Sequence, residues 1–233
     1  MEKVQETVAT FNKMAEKYQD KYMDCNLYSH SLDKLCEYIY QLQLNDVTSN
    51  KACNEISVLE VGCGPGNVSC YLSNWRNPDK ELLPIKIYGF DLAPNMVRLA
   101  NANNPQHHYD VLDMQEILTL KAQFDRDLFN VAVCAFSIPY LNQQALKRFI
   151  EDMPQLLAKK SILFISFMAG DYKKSMAQES ASGDRVHMYY YEAKDLARLL
   201  TDNGFEVIEQ YTKDYIVDGI KQATDCFMYL KRI

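Results

Sequence analysis

Three glycines and a distant acid are the residues of this chain whose types and spacing point most directly to ligand chemistry. Gly62, Gly64 and Gly66 follow the apolar run Ile56–Val61 in the pattern Gly-x-Gly-x-Gly. Glycine lacks a Cβ atom, so it tolerates positive φ angles and lets a ligand approach the backbone closely. The amides that open the next helix, at 67–73, then form a small positive nest. The loop therefore predicts a binding site for a polar ligand.

Acidic side chains follow the next two predicted strands. Asp91 ends the apolar run at 85–90, and Asp113 comes just after a strand predicted at 107–111. The carboxyl ends of parallel strands meet at one edge of a sheet, where open α/β folds bind ligands. A carboxylate at this edge can accept both hydroxyls of a ribose. For Asp113, the alternative role is the N-cap of a helix predicted at 115–118.

Strands and helices alternate through the rest of the chain, which indicates an α/β fold with a doubly wound sheet. Residues 1–45 are predicted to form two helices before the first strand, with Val4, Val8 and Phe11 on one face. The seven predicted strands are 56–61, 85–90, 107–111, 129–134, 161–167, 205–211 and 225–230. The helices between them are predicted at 67–73, 95–101, 143–157 and 195–203.

Composition narrows the class of protein. The 233 residues are 48% hydrophobic, enough for one ordinary core, and no targeting signal or membrane span is recognisable, so we expect a cytoplasmic protein without a membrane partner. The net charge of -6 and the lack of a Lys/Arg cluster argue against a nucleic-acid partner. Seven cysteines, mostly in apolar segments, predict reduced thiols, and no metal site is expected.

Glu60 immediately precedes the glycines and completes Glu-x-Gly-x-Gly-x-Gly, which resembles motif I of the class I S-adenosylmethionine-dependent methyltransferases. The resemblance continues in family order through the segments 90–97, 110–114, 129–136, 190–200 and 203–207. It implies one methyltransferase domain over 1–233, with an N-terminal helical lid at 1–45 and a Rossmann-like core at 46–233. The implied sheet has seven mostly parallel strands in the order 3-2-1-4-5-7-6, with the last strand antiparallel.

The resemblance also implies S-adenosylmethionine as cofactor, with S-adenosylhomocysteine as its product. Glu60 and the backbone at Gly62 and Gly64 would hold the methionine portion. Asp91 would take the ribose hydroxyls, and Asp113 the adenine amino group. The positions assigned to the cofactor are Tyr18, Glu60, Gly62, Gly64, Asp91, Leu92, Asp113, Met114, Ala135 and Phe136.

Tyrosines are the best candidates for contact with a methyl acceptor. Tyr140 and Tyr190 are predicted to bind it, because the stretch 137–140 resembles the substrate-facing segment of related enzymes and 189–191 is expected across the mouth. Aromatic rings favour a cationic or aromatic acceptor, whereas simple core packing is the alternative. His187 can remove a proton, but a good nucleophile needs no base, so no catalytic residue is assigned. Residues 170–184 are predicted to be a mobile insertion.

Three functions are compatible with these patterns. The leading hypothesis is a methyltransferase that acts on O, N or C of a small-molecule acceptor. A non-catalytic adenosylmethionine-binding protein would keep the same motifs with a closed acceptor pocket. A nucleotide-dependent oxidoreductase is disfavoured because Asn67 stands where the dinucleotide fingerprint has its last glycine.

Overall fold

A seven-stranded sheet forms the centre of the protein in a computed structural model, which describes residues 2–48, 55–124, 129–179 and 183–233. The strands are β1 Ile56–Val61, β2 Ile85–Asp91, β3 His108–Val111, β4 Phe129–Ala135, β5 Leu157–Ala169, β6 Met176–Glu179, β7 Arg185–Met188, β8 Phe205–Val217 and β9 Ile220–Arg232. The large sheet has the order β3-β2-β1-β4-β5-β9-β8, and β6 pairs with β7 in a separate hairpin. Strands β1 to β5 are parallel, and β9 is antiparallel to both β5 and β8. The predicted fold and strand order are confirmed, with the hairpin shifting the last two strand numbers.

Helices cover both faces of this sheet. They are α1 Glu2–Tyr22, α2 Ser29–Thr48, α3 Asn67–Asn74, α4 Pro94–Asn103, α5 Leu120–Gln123, α6 Gln143–Asp152 and α7 Ala193–Asp202. Local chemistry fixes several of their ends. Pro94 opens α4, where its missing amide hydrogen costs nothing. Asn142 caps α6 by accepting a hydrogen bond from the Ala145 amide at 2.9 Å.

The central strands are apolar on both faces, as parallel strands between helical layers must be. Successive side chains of a strand point to opposite faces. Leu59 and Val61 therefore pack in the core that includes α6 and α7, while Ile56 and Val58 pack in the core that includes α2 and α3. All four side chains are buried.

Strand lengths are where the sequence prediction is least accurate. The strands β5, β8 and β9 each have 13 residues, compared with the six or seven that the apolar runs predict. The parts of β8 and β9 next to the turn that joins them, near 213–217 and 220–224, are largely exposed and pair with each other in an antiparallel ladder. No burial pattern marks them in the sequence. The helix predicted at 143–157 ends at Asp152, because Pro154 lies in the 3-10 turn that follows.

The predicted insertion at 170–184 contains regular structure. A 3-10 turn at Tyr172–Lys174 leads into β6, and β7 returns antiparallel to it. Residues 180–182 lie outside the described residues, as do residues 49–54 at the predicted boundary between lid and core. Within the described ranges, no helix is long and apolar enough to cross a bilayer.

Candidate functional site

A cleft opens at the carboxyl edge of the sheet, between the strand ends and α1. It encloses about 840 Å³, including the space at its mouth. We call it the central cleft. The residues predicted from sequence that line it are Tyr18, Gly62, Gly64, Asp91, Leu92, Asp113, Met114, Ala135, Phe136 and Tyr140. Two predicted residues, Glu60 and Tyr190, are not among its lining residues.

The glycine loop follows β1 in a conformation that needs glycine. Gly62, Gly64 and Gly66 have φ angles of +66°, +52° and +78°, in the left-handed region that residues with a Cβ atom adopt at a cost. A Cβ atom on Gly62 would lie 2.6 Å from the Cβ of Ser137, and one on Gly66 would collide with Nδ2 of Asn104. The loop is therefore packed against the segments that follow β4 and α4.

Asp91 ties the glycine loop to the turn after β2. Its Oδ2 accepts a hydrogen bond from the Gly64 amide at 3.0 Å, and its Oδ1 accepts one from the Ala93 amide at 2.9 Å. Burial raises the pKa of Asp91, while these backbone hydrogen bonds act in the opposite direction. A carboxylate offers about four acceptor positions, so both oxygens keep capacity for a ligand in the cleft.

Asp113 caps a turn and also lies in the lining of the central cleft. Its Oδ1 accepts a hydrogen bond from the Gln115 amide at 2.9 Å and caps the 3-10 turn Met114–Thr119. The same residue lines the central cleft beside Leu92 and Met114. A structural cap and a ligand contact are therefore compatible at this position.

Glu60 lies in β1 just before the glycine loop and does not line the central cleft. Its carboxylate accepts a hydrogen bond from the Ser69 hydroxyl of α3, and the residue is only 3% exposed. Burial raises the pKa of Glu60 to about 8, although the Ser69 hydrogen bond acts to lower it. The predicted contact of Glu60 with the cofactor is thus not supported by its position. The spacing of the motif places Glu60 next to the loop, but the direction of its side chain depends on packing against α3.

Glu60 should also make the protein less stable as pH rises. Between about pH 4.5 and pH 8 the folded protein retains a proton that the unfolded chain releases, so the free energy of unfolding falls across this window. We expect Glu60→Gln to raise the melting temperature at pH 8.5 by roughly 2–4 °C, the shift that about 1 kcal/mol gives in a chain of this length. At pH 5 the variant and the wild type should melt at nearly the same temperature. Thermal melts of both proteins at the two pH values test this, and an equal shift at both would contradict it.

The helix α1 covers the central cleft with its apolar face. Val4, Val8 and Phe11, which the sequence places on one face, all line the cleft. The Phe11 ring lies 5.1 Å from the Tyr140 ring and 6.1 Å from the Tyr18 ring, both in edge-on geometry. These three rings form an aromatic wall. The helical spacing of Val4, Val8 and Phe11 places these residues on one face of α1. The spacing alone does not show that this face lines the cleft.

Strand β7 holds α1 in place by polar contacts. The Thr10 hydroxyl donates to the Arg185 carbonyl at 2.8 Å, and the His187 amide donates to the Thr7 hydroxyl at 3.0 Å. The His187 ring pairs with the Glu6 carboxylate at 2.6 Å, and this hydrogen bond lowers the pKa of Glu6. Strand β7, which follows the predicted insertion, thus contacts the predicted lid directly. His187 is engaged in that contact.

Tyr190 points away from the central cleft. Its amide donates to the Ser175 hydroxyl at 3.1 Å, and its side chain packs over Gly170. The preceding Tyr189 instead lines an outer cleft, together with Lys3, His187 and Tyr140. Neighbouring side chains of an extended segment point in opposite directions. The position of Tyr190 therefore does not support its predicted contact with a methyl acceptor.

Comparison with known protein families shows which family this chain belongs to. Residues 25–210 match the family model described as a methyltransferase domain. The chain belongs to this methyltransferase family. The prediction of a class I S-adenosylmethionine-dependent methyltransferase is confirmed at the level of family and fold by this match together with the strand order. Among the described residues, no group of three or more His, Cys, Asp or Glu could hold a metal ion.

Curated relatives of this methyltransferase match only part of its length. A malonyl-[acyl-carrier protein] O-methyltransferase of Salmonella typhimurium is 30% identical over 129 residues, which are 55% of this chain and 43% of that protein. The enzyme of the same name from Pseudescherichia vulneris is 35% identical over 77 residues, which are 33% of this chain and 28% of that protein. The chain therefore matches less than half the length of these relatives.

Solved structures match the methyltransferase over more of its length. DhpI in complex with S-adenosylhomocysteine has a TM-score of 0.62 at 12% identity, covering 99% of this chain and 97% of that one. The 1,6-didemethyltoxoflavin-N1-methyltransferase of Burkholderia thailandensis also has a TM-score of 0.62, at 14% identity, covering 98% of this chain and 88% of that one. At these identities the similarity shows the fold alone.

Proposed function

We propose that this chain transfers the methyl group of S-adenosylmethionine to a small-molecule acceptor bound beneath α1. The observation that carries the proposal is the convergence of the glycine loop, Asp91, Asp113 and an aromatic wall on one covered cleft. The glycine-loop backbone, the two acids and the apolar rings come from separate segments of the chain. Their meeting in one cleft matches the needs of a ligand with a polar end, a ribose and a flat base.

The residues present fit the donor by their chemistry. Asp91 would accept hydrogen bonds from the ribose hydroxyls, because each of its oxygens has one backbone partner and further acceptor capacity. Asp113 would accept from the adenine amino group, with Leu92 and Met114 beside the base. When bound, S-adenosylmethionine supplies a methyl group activated by a sulfonium sulfur. Tyr18, Gly62, Gly64, Ala135 and Phe136 would surround the methionine end.

The aromatic wall would receive the acceptor. In-line displacement at a methyl group needs an oriented nucleophile and little water. The apolar ring surfaces of Phe11, Tyr18 and Tyr140 would orient the acceptor and exclude water from it. The helix α1 also limits access of water to the cleft. Oxygen, nitrogen and carbon remain the candidate accepting atoms. Direct binding by Tyr190, which faces away, has no support from its position, and Tyr189 is the better candidate at the outer cleft.

A second candidate acceptor is an acyl group on a carrier protein. The similarity to malonyl-[acyl-carrier protein] O-methyltransferases favours it, because those proteins are 28–35% identical over their matched residues. The outer cleft contains Lys3, which can pair with an anionic group. Comparing turnover of a malonyl thioester with turnover of a panel of free phenols and amines separates this candidate from the small-molecule acceptor.

Titration calorimetry tests the donor half of the proposal. We expect saturable binding of S-adenosylhomocysteine by the wild-type chain and no heat from a nicotinamide dinucleotide. Heat from the dinucleotide alone would revive the oxidoreductase hypothesis and overturn the proposal. Donor binding without methyl transfer to any member of a broad acceptor panel would favour the non-catalytic binding protein instead.

The contact between α1 and β7 predicts a change in dynamics on donor binding. Amide hydrogen exchange in 2–22 and 183–190 should slow at least about fivefold when S-adenosylhomocysteine binds, because opening of the cleft then requires loss of the ligand. The distal parts of β8 and β9, near 213–222, line neither cleft and serve as an internal control. Unchanged exchange in α1, alongside calorimetric binding, would show that α1 does not act as a lid.

A further inference from the structure

One buried hydroxyl in the wall of the central cleft has no hydrogen-bond partner. Ser137, in the segment after β4, is 4% exposed, and its Oγ pairs with no atom of the described structure. Buried polar groups in native proteins are nearly always hydrogen-bonded, and an orphaned one calls for an explanation. The two acids that line the cleft, Asp91 and Asp113, both have hydrogen-bond partners in the chain.

The chain holds Ser137 firmly at this place. Its carbonyl accepts a hydrogen bond from the Tyr140 amide at 3.2 Å, while the preceding Phe136 amide donates to the Ser166 carbonyl at 2.9 Å. Phe136 also has a φ angle of +53°, a left-handed conformation that is unusual for an aromatic residue. The Cβ of Ser137 occupies the space that a side chain on Gly62 would need. The backbone on both sides therefore directs Ser137 toward the start of the glycine loop.

We propose that the Ser137 hydroxyl is a cofactor-binding group that hydrogen-bonds the amino-acid end of S-adenosylmethionine. The inference rests on the proposed function, in which the backbone at Gly62 and Gly64 holds the methionine portion. A hydroxyl both donates and accepts, so it suits a ligand end that carries an ammonium and a carboxylate. Asp91 and Asp113 are acceptors that would repel the carboxylate, whereas the uncharged Ser137 lies beside Gly62 and would not.

Two adenosine ligands that differ only at this end give the test. S-adenosylhomocysteine carries the amino-acid group, and 5′-methylthioadenosine lacks it. We expect Ser137→Ala to weaken binding of S-adenosylhomocysteine about 10- to 100-fold, the effect of one hydrogen bond to a charged group. Binding of 5′-methylthioadenosine should stay within about twofold. Ser137→Cys keeps the side-chain size with a poor hydrogen-bonding group, so it should show the same selective loss.

Ser161 provides a matched control. It lies in β5, is 2% exposed, and its Oγ is also without a partner in the described structure, but it does not line the cleft. Ser161→Ala should leave the affinities for both ligands unchanged. Neither alanine variant should lower the melting temperature of the unliganded protein, because each removes a buried polar group that makes no hydrogen bond.

The outcomes separate the inference from the proposed function. Equal weakening of both ligands by Ser137→Ala would mean that the residue acts only through the shape of the loop, and unchanged affinity for both would mean no contact; either result overturns the inference while the donor site stands. If the wild type bound neither ligand, the proposed function would fail and the inference with it. A selective loss in both Ser137 variants, absent in Ser161→Ala, supports the assignment.

Discussion

Gly62→Ala should reduce affinity for S-adenosylhomocysteine by more than about 100-fold. The residue has a φ angle of +66°, which costs a residue with a Cβ atom about 1–2 kcal/mol. The new methyl group would also lie 2.6 Å from the Cβ of Ser137, which cannot move without its backbone. Relief of that contact must displace either the glycine loop or the segment after β4. Both displacements alter the cleft where the methionine end is proposed to bind.

Alanine substitutions at two other glycines separate the effect of backbone strain from the effect of a steric collision. Gly64 has a φ angle of +52°, but a Cβ atom there would meet nothing closer than Tyr18 Cε1 at 3.8 Å, so Gly64→Ala should cost clearly less affinity. Gly204 has a φ angle of +85°, with no atom within 4 Å of the added Cβ, and does not line the cleft. Gly204→Ala should lower the melting temperature without changing affinity. Titration calorimetry on the three variants measures the difference, and wild-type affinity in Gly62→Ala would refute the packing argument.

Asp91→Ala should be as damaging to cofactor binding as Gly62→Ala, for a different reason. The substitution removes the acceptor of two backbone amides, those of Gly64 and Ala93. The glycine loop and the turn before α4 then lose this side-chain connection, and each amide loses a partner at a cost of about 1–3 kcal/mol. The proposed ribose contacts are lost as well. We expect affinity for S-adenosylhomocysteine to fall by at least about 100-fold.

Asp110 is the matched control for Asp91. It lies in β3, opposite Phe90 of β2, and accepts a hydrogen bond from the Tyr88 hydroxyl at 3.0 Å, but it is not among the lining residues of the cleft. Asp110→Ala should therefore leave calorimetric affinity nearly unchanged. Asp91→Asn, which keeps one carboxamide oxygen as an acceptor, should fall between Asp91→Ala and the wild type. If Asp91→Ala and Asp110→Ala had the same affinity, the assignment of Asp91 to the ribose would be wrong.

The fold could be predicted largely from local patterns. Apolar runs such as Ile56–Val61 mark strands buried on both faces, and the glycines after them mark a turn that only glycine fits. Asp91 and Asp113 reach the same edge because parallel strands end there together. These features depend on backbone geometry and on residues close in sequence. Local patterns therefore determined the strands and the edge at which the cleft lies, whereas the strand order and most of the predicted lining residues were implied by the resemblance to the methyltransferase family.

Tertiary packing decided the contacts between segments that are distant in sequence. Whether Glu60 faces the cleft or Ser69, and whether Tyr189 or Tyr190 turns inward, depends on which neighbouring element each side chain meets. The fit of Ser137 against Gly62 joins positions 75 residues apart, and no local pattern records it. Periodicity assigns a residue to a face, but only the assembled layers fix what lies opposite that face.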